Sequence, residues 1–136
     1  MNHYDNAQEQ EQAALCLIKA GFYRQSVYLS CMAIELYLKS KLPLVPHDES
    51  LEYSHDIVGM LNALSACYKP KNTNLRRAVS FCRKYFNESR YPYAADTSAY
   101  NKDFANDFAG YVADIRNYIN NECNPQITDS DEMTKS

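Results

Sequence analysis

The segment 22–41 carries apolar side chains at helical spacing on two nearly opposite sides. One stripe consists of Val27, Cys31, Ile34 and Leu38, and the other of Leu29, Met32 and Leu36. A surface helix shows a single apolar stripe, so a helix with two of them has to be covered by neighbours on both sides. The segment therefore predicts a central helix, and with it a fold made of helices packed around one another.

The rest of the chain also shows helical periodicity. Besides the central segment, we predict helices over residues 6–20, 55–68, 73–86 and 100–122. Gly21 suits the end of the first helix, Pro43 stops the second, and Ser54 can cap the third. Residues 87–99 have no clear period, and a loop of this length is usually functional or disordered.

These segments predict an all-α, up-and-down bundle of four to five helices. We expect one domain over residues 1–123, because a chain of 136 residues is typical of a single domain. Residues 124–136 are polar and acidic, so we expect them to form a disordered acidic tail.

Composition narrows the class of protein further. Hydrophobic residues make up 46% of the chain. No apolar run approaches the roughly 20 residues of a membrane-spanning helix. The chain begins without an apolar signal core and has five cysteines, so we expect a cytoplasmic protein with reduced, mostly buried thiols. The three histidines are not spaced as metal ligands, and we expect no metal and no cofactor.

Positive charge is concentrated in one stretch, although the net charge of the chain is −3. Residues 69–90 carry seven basic side chains and one acidic side chain. On a helix, Arg76 and Arg83 fall on nearly one line, and Arg77 and Lys84 fall on a neighbouring line. Such a basic face is an electrostatic footprint for phosphates. The alternative is a solvated face that pairs with the acidic fifth helix.

Three short segments occur in an order that resembles one family of helical proteins. They are Ala20–Tyr23 followed by Ala33–Lys39, then His55–Ile57 at the start of a helix, and then Ser89–Pro92 after a basic helix. Their order and spacing resemble the HEPN family over about residues 5–122. The resemblance implies a four- to five-helix bundle that commonly dimerises. It also implies either a ribonuclease or a nucleotide-binding module, in many cases encoded beside a small nucleotidyltransferase.

The ribonucleases of this family carry an arginine followed four to six residues later by a histidine, and this chain lacks that motif. Its last histidine is His55, and its only earlier arginine, Arg24, precedes His47 by 23 residues. The usual acid–base pair is therefore missing. We expect a non-catalytic module that binds a nucleotide or RNA phosphate, with a nucleotidyltransferase as a possible partner in a toxin–antitoxin or defence-like system.

The candidate ligand-binding residues are Lys39, His55, Asp56, Arg90 and Tyr91. Arginine offers a planar fork for phosphate and tyrosine a face for a base, so Arg90 and Tyr91 are the favoured pair. Histidine, with a reference pKa of about 6.5, can donate to a phosphate or carry a proton. The alternatives are structural: Lys39 pairs with Glu35, His55 and Asp56 begin a helix, and Arg90 pins a loop.

Two further hypotheses remain open at this point. The first is a ribonuclease toxin with a non-standard active site, such as His55 acting with Arg90 across the fold. The second is a protein-interaction subunit whose basic helix docks an acidic partner and which has no nucleic-acid ligand. We also expect a homodimer, because twelve tyrosines favour amphipathic faces of the kind found at interfaces.

Overall fold

The computed structural model describes residues 2–90 and 99–124. They form five α-helices, which are α1 (His3–Ala20), α2 (Tyr23–Lys41), α3 (Ile57–Cys67), α4 (Leu75–Arg90) and α5 (Lys102–Asn121). Two short 3₁₀ segments, Leu42–Leu44 and Glu49–Tyr53, lie between α2 and α3. These two described ranges contain no β-strand. The predicted all-α bundle is confirmed.

Helix α2 is the centre of the bundle and packs against each of the other four helices. One predicted stripe is fully buried, as shown by Val27, Cys31, Ile34 and Leu38. The other stripe is half-buried, and consists of Leu29, Met32 and Leu36. The prediction of a central helix is therefore confirmed, and the two stripes differ in how completely their neighbours cover them.

Side-chain contacts fix the directions of the helices. Phe81 of α4 stacks on Tyr111 of α5, and Tyr85, one turn later, packs edge-on against Phe104, so these two helices are antiparallel. At the other end of α5, the Tyr118 hydroxyl donates to the carbonyl of Tyr68, 2.5 Å away. The carboxyl ends of α3 and α5 therefore meet at one end of the bundle.

The ends of α1 and α3 follow local sequence rules. Gly21 follows α1 with a φ of 84°, and the backbone N–H of Phe22 donates to the carbonyl of Leu17, which completes a left-handed helix stop. At the start of α3 the capping residue is Asp56, whose carboxylate accepts from the Gly59 N–H at 3.0 Å. The prediction that Ser54 caps this helix is wrong, because Ser54 lies two residues before the cap and its hydroxyl accepts from the Asp56 N–H instead.

Helix α4 is longer than the periodicity predicts and extends to Arg90, so residues 87–90 are helical rather than part of a loop. The extension is held by a contact between distant parts of the chain. The guanidinium of Arg24, at the start of α2, donates to the Ser89 carbonyl at 2.5 Å, and Ser89 itself is fully buried. A carbonyl at a helix end has no partner within the helix, so this contact stabilises the last turn.

One buried polar cluster joins α1, α2 and α5. The Glu11 carboxylate accepts a hydrogen bond of 2.6 Å from the Tyr37 hydroxyl and also pairs with the guanidinium of Arg116. Glu11 is buried, and burial together with the neighbouring carboxylate raises the pKa of Tyr37 well above its ordinary value. We call Glu11, Tyr37 and Arg116 the closed cluster.

No helix in the described ranges is long and apolar enough to cross a membrane. The predicted tail lies outside the described residues except for Asn124, so the boundary between domain and tail stays a prediction.

Candidate functional site

A second buried carboxylate, Glu35, stands on α2 and has two partners. The ammonium of Lys39, one turn along the helix, lies 3.3 Å from Glu35 Oε2. The imidazole Nδ1 of His55 lies 2.7 Å from Glu35 Oε1. The structural alternative for Lys39, an ion pair at helical spacing, is therefore present. We call Glu35, Lys39 and His55 the open cluster, because 71% of the His55 side chain is exposed to solvent.

The orientation of His55 is set from two sides. A carboxylate accepts hydrogen bonds and cannot donate them, so the proton on the Glu35 side of the ring sits on Nδ1. The other side is set by Phe86 of α4, whose ring centre lies 5.9 Å from that of the imidazole with the two planes 30° apart. The Nε2 atom then remains available, as an acceptor in the neutral ring and as a donor in the charged one.

A cavity of about 230 Å³ opens beside this histidine, between α2, the start of α3 and the second half of α4. Its polar lining comes from Glu35, His55, Arg83 and Asn87, and Phe86 adds an aromatic wall. This His55 cavity thus joins a guanidinium, an imidazole and an amide around one small space. The guanidinium, the amide and the charged form of the imidazole are donors that suit an anionic ligand such as a phosphate.

Two buried cysteines form the floor of the same cavity. The Cys31 Sγ donates to the carbonyl of Cys82 at 3.6 Å, and burial raises the pKa of the Cys82 thiol well above its usual range. A thiol is nucleophilic only as a thiolate, so Cys82 is a packing residue at neutral pH. The prediction of buried thiols holds for Cys31, Cys82 and Cys123 and is wrong for Cys16 and Cys67, which are exposed.

The structure brings only some of the predicted site residues together. His55 lines the cavity, whereas Asp56 points its carboxylate at the α3 backbone as the helix cap. Lys39 lines a separate cavity of about 240 Å³, next to Glu52 and Tyr53. Arg90 is the last residue of α4 and is exposed there, one turn beyond Asn87, rather than in a loop. Tyr91 lies outside the described residues.

The basic face predicted on α4 is exposed as a whole, and its members are Arg76, Arg77, Arg83 and Lys84. The Arg77 guanidinium stands over the Phe81 ring at 5.5 Å, and the Lys84 ammonium stands 5.3 Å from the centre of the Tyr85 ring. Within residues 2–90 and 99–124, none of the four forms an ion pair. The face is solvated, as the alternative expects, but within the described part of the chain it does not pair with the acidic fifth helix.

Sequence reasoning missed Asn87 and Phe86 as neighbours of His55, and it placed Arg83 on the basic face without assigning it to a pocket. Helical spacing could have linked two of these residues, because Arg83 and Asn87 are four residues apart and share one face of a helix. Among the described residues there is no group of three or more histidine, cysteine or acidic side chains placed to hold a metal ion.

Comparison with protein families gives a match over most of the chain. A family model described as HEPN domain matches residues 2–122, which is most of the sequence. Comparison with curated proteins gave no match, and neither did comparison with solved structures.

Proposed function

Because the chain belongs to the HEPN family, we propose that it is a non-catalytic module that binds the phosphate of a nucleotide or of RNA in the His55 cavity. Membership in this family supports a role in nucleotide or RNA chemistry in general terms. The identity of the site and the absence of catalysis are the parts proposed here.

The observation that carries the proposal is that Arg83 and His55 line the same small cavity. A guanidinium offers two parallel N–H donors to phosphate oxygens, and His55 Nε2 offers a third polar contact. Glu35 holds the imidazole by its other nitrogen, so the ring does not have to be ordered when the ligand binds.

The exposed basic face creates a positive electrostatic potential that attracts anions. Arg83 belongs to both the face and the cavity, and Arg76, Arg77 and Lys84 lie along the same helix. Clustered positive charge raises the local concentration of an anionic ligand and speeds its association, and salt weakens the effect. A ligand drawn to α4 is therefore delivered to the donors beside His55.

The test is a titration of labelled ATP, GTP and a short single-stranded RNA at two salt concentrations. We expect Arg83→Ala to weaken binding tenfold or more, because a hydrogen bond to a charged group contributes about 1.5–3 kcal/mol. Arg90→Ala, made in the same series, tests the favoured residue of the sequence analysis. Lys19→Ala is the matched control, since it removes one exposed charge from α1, which packs on α2 and α5.

Binding that does not change with salt contradicts the proposal, since phosphate contacts release counterions. Equal binding by wild type and Arg83→Ala also contradicts it, because the cavity then takes no part.

A homodimer and a nucleotidyltransferase partner, in a toxin–antitoxin or defence-like setting, belong to the same proposal. Light scattering at tens of micromolar protein tests the dimer, and a monomeric mass contradicts it. Pull-down from the source cell tests the partner. If one protein is captured reproducibly and neither nucleotide nor RNA binds at physiological salt, the chain is a protein-interaction subunit instead.

A second candidate is a ribonuclease that uses a non-standard site, and the observation in its favour is the 2.7 Å contact between Glu35 and His55. A carboxylate that orients an imidazole is a common arrangement for general acid–base catalysis. In this case induced expression arrests growth, end-labelled RNA is cleaved, and His55→Ala abolishes both effects. A harmless wild-type protein that leaves the RNA intact contradicts this candidate.

A further inference from the structure

A second and larger cavity, of about 560 Å³, lies between α3 and the amino-terminal end of α4. Its floor is apolar and includes the buried side chains of Leu61 and Leu75. Two exposed cations, Lys69 and Arg76, belong to its lining. We call this space the distal cavity. An apolar floor below cationic groups suits a flat, uncharged ring attached to an anionic group.

The distal cavity and the His55 cavity lie on the same line of α4. Arg76 lines the first, Arg83 lines the second, and the two are seven residues apart, which is nearly two full turns. Exposed Ser80 lies between them, and Asn87 continues the line beyond Arg83. The rise of a helix puts Arg76 and Arg83 about 10.5 Å apart along its axis. This line of polar and basic side chains is a track that joins the two cavities.

Arg76 is held in position for such a role. Its Nη1 donates to Asn62 Oδ1 of α3 at 2.7 Å, which leaves the other N–H groups of the guanidinium for a ligand. An arginine whose side chain is already ordered loses little conformational freedom on binding. The contact also crosses from α4 to α3, so Arg76 is fixed beside the space that both helices enclose.

We infer that the ligand of the proposed site is a single nucleic-acid strand of at least about four nucleotides, which follows α4 from the His55 cavity and places a base in the distal cavity. This inference rests on the proposed function and adds the length of the ligand and its path along α4. The repeat of a stacked strand is about 3.4 Å per nucleotide, so the separation of Arg76 and Arg83 corresponds to about three repeats, the spacing between the phosphates of a first and a fourth nucleotide. A free mononucleotide spans one repeat and reaches only one of the two arginines.

The test is a length series in which labelled AMP and oligoadenylates of two, three, four and six nucleotides are titrated against the wild-type protein. We expect affinity to rise at least tenfold between one and four nucleotides. Arg76→Ala abolishes that gain and weakens AMP binding much less than Arg83→Ala does, whereas Arg83→Ala weakens every member of the series. Arg76→Ala also lowers the slope of log affinity against log salt for the hexanucleotide by about 0.7, which is the loss of one phosphate contact.

A second pair of variants tests the distal cavity without touching the track. Ala66 lines the cavity and is exposed, so Ala66→Glu adds a negative charge there without disturbing the core, and Ala66→Gln is its uncharged match. We expect Ala66→Glu to lose most of the length-dependent gain and Ala66→Gln to keep more of it. Lys19→Ala, with its charge removed from α1, is expected to behave like the wild type throughout.

The outcomes separate this inference from the proposed function. If AMP binds as tightly as the hexanucleotide, or if Arg76→Ala retains the whole gain, the strand is refuted while the phosphate site stands. If neither AMP nor any oligonucleotide binds, both are refuted. If a hexaglutamate peptide competes as well as the hexanucleotide, the track belongs to an acidic protein partner and the strand is again refuted.

Discussion

The closed cluster around Glu11 and the open cluster around Glu35 are built from the same chemical parts. Each is a buried carboxylate with one cationic side chain and one ring group as partners. Tyr37 and Glu35 are two residues apart on α2, so the clusters lie on opposite sides of that helix. The clusters differ in the exposure of the ring: Tyr37 is fully buried, whereas His55 is mostly exposed beside a cavity.

This difference shows how one helix divides its polar residues between stability and binding. In the closed cluster Tyr37 is fully buried and Arg116 is only partly exposed, so the hydrogen bonds of Glu11 hold α1, α2 and α5 together. In the open cluster the carboxylate is buried while the ring that it orients reaches solvent with one nitrogen unused. A buried acid is thus informative about function only when one of its partners also faces a space that a ligand can enter.

The largest expected effect is on the closed cluster. Glu11→Gln removes the negative charge that pairs with Arg116. We expect a loss of about 3 kcal/mol, near the lower end of the usual range for breaking a buried ion pair, because Arg116 is partly exposed. We expect this loss in the free energy of unfolding from urea titration followed by circular dichroism. Affinity for the ligand of the His55 cavity should stay unchanged in the same variant. A loss of affinity in folded Glu11→Gln protein would show that the closed cluster contributes to binding as well as to stability.

The corresponding change in the open cluster, Glu35→Gln, should cost less stability and more binding. Lys39 and His55 can both turn toward water when the carboxylate charge is removed, so we expect a loss of about 1–2 kcal/mol. The imidazole loses its fixed orientation, and nucleotide affinity should fall severalfold in the titration described for Arg83→Ala. If Glu35→Gln destabilises the fold as much as Glu11→Gln, the open cluster is structural as well.

High pH should weaken the fold as a whole, including the closed cluster. Burial raises the pKa of Cys123 to about 11, and burial raises the pKa values of Tyr37 and Tyr118 above their ordinary value of 10. Groups with raised pKa values hold their protons more tightly when folded, so stability is complete below about pH 9 and declines toward pH 11. We expect a decline on the order of 1–2 kcal/mol, in urea titrations repeated across this range.

Tyrosinate absorbance provides a direct check on that decline. The buried Tyr37 and Tyr118 should ionise only as the protein unfolds. A single titration step with the fold intact would show that Tyr37 and Tyr118 are not protected.

The smallest effect on stability is expected from His55→Ala. The side chain is mostly exposed, and substitutions at such positions usually change stability by less than about 0.5 kcal/mol. The same change removes one polar contact from the cavity, so ligand affinity should fall about tenfold while the unfolding curve stays in place. A matched loss of stability and affinity would indicate that His55 acts mainly as a link between α2 and α4.

The sequence predicts the fold well because the helices follow local rules. The two stripes of segment 22–41 identify the central helix, and Gly21 marks the end of α1, because both depend on residues close together in the chain. The end of α4 could not be predicted in this way. It depends on Arg24, which reaches the Ser89 carbonyl from another helix.

The candidate site was only partly predictable for the same reason. His55 was identified as a residue at a helix start, and Arg83 as part of a basic face. That they share a cavity depends on how α3 packs against α4, and no spacing within either segment contains that information. The separation of Lys39 from the cavity likewise follows from the geometry around Glu35.

Gly59 has a consequence for how this protein can be searched for functional residues. A Cβ atom at this position would lie 2.5 Å from Asp56 Oδ2, so any larger residue pushes away the cap that begins α3 just after His55. In a saturation screen for binding, Gly59 would therefore score like a residue that touches the ligand, although it has no side chain with which to do so. Pairing such a screen with a measure of folded abundance separates the two kinds of sensitivity.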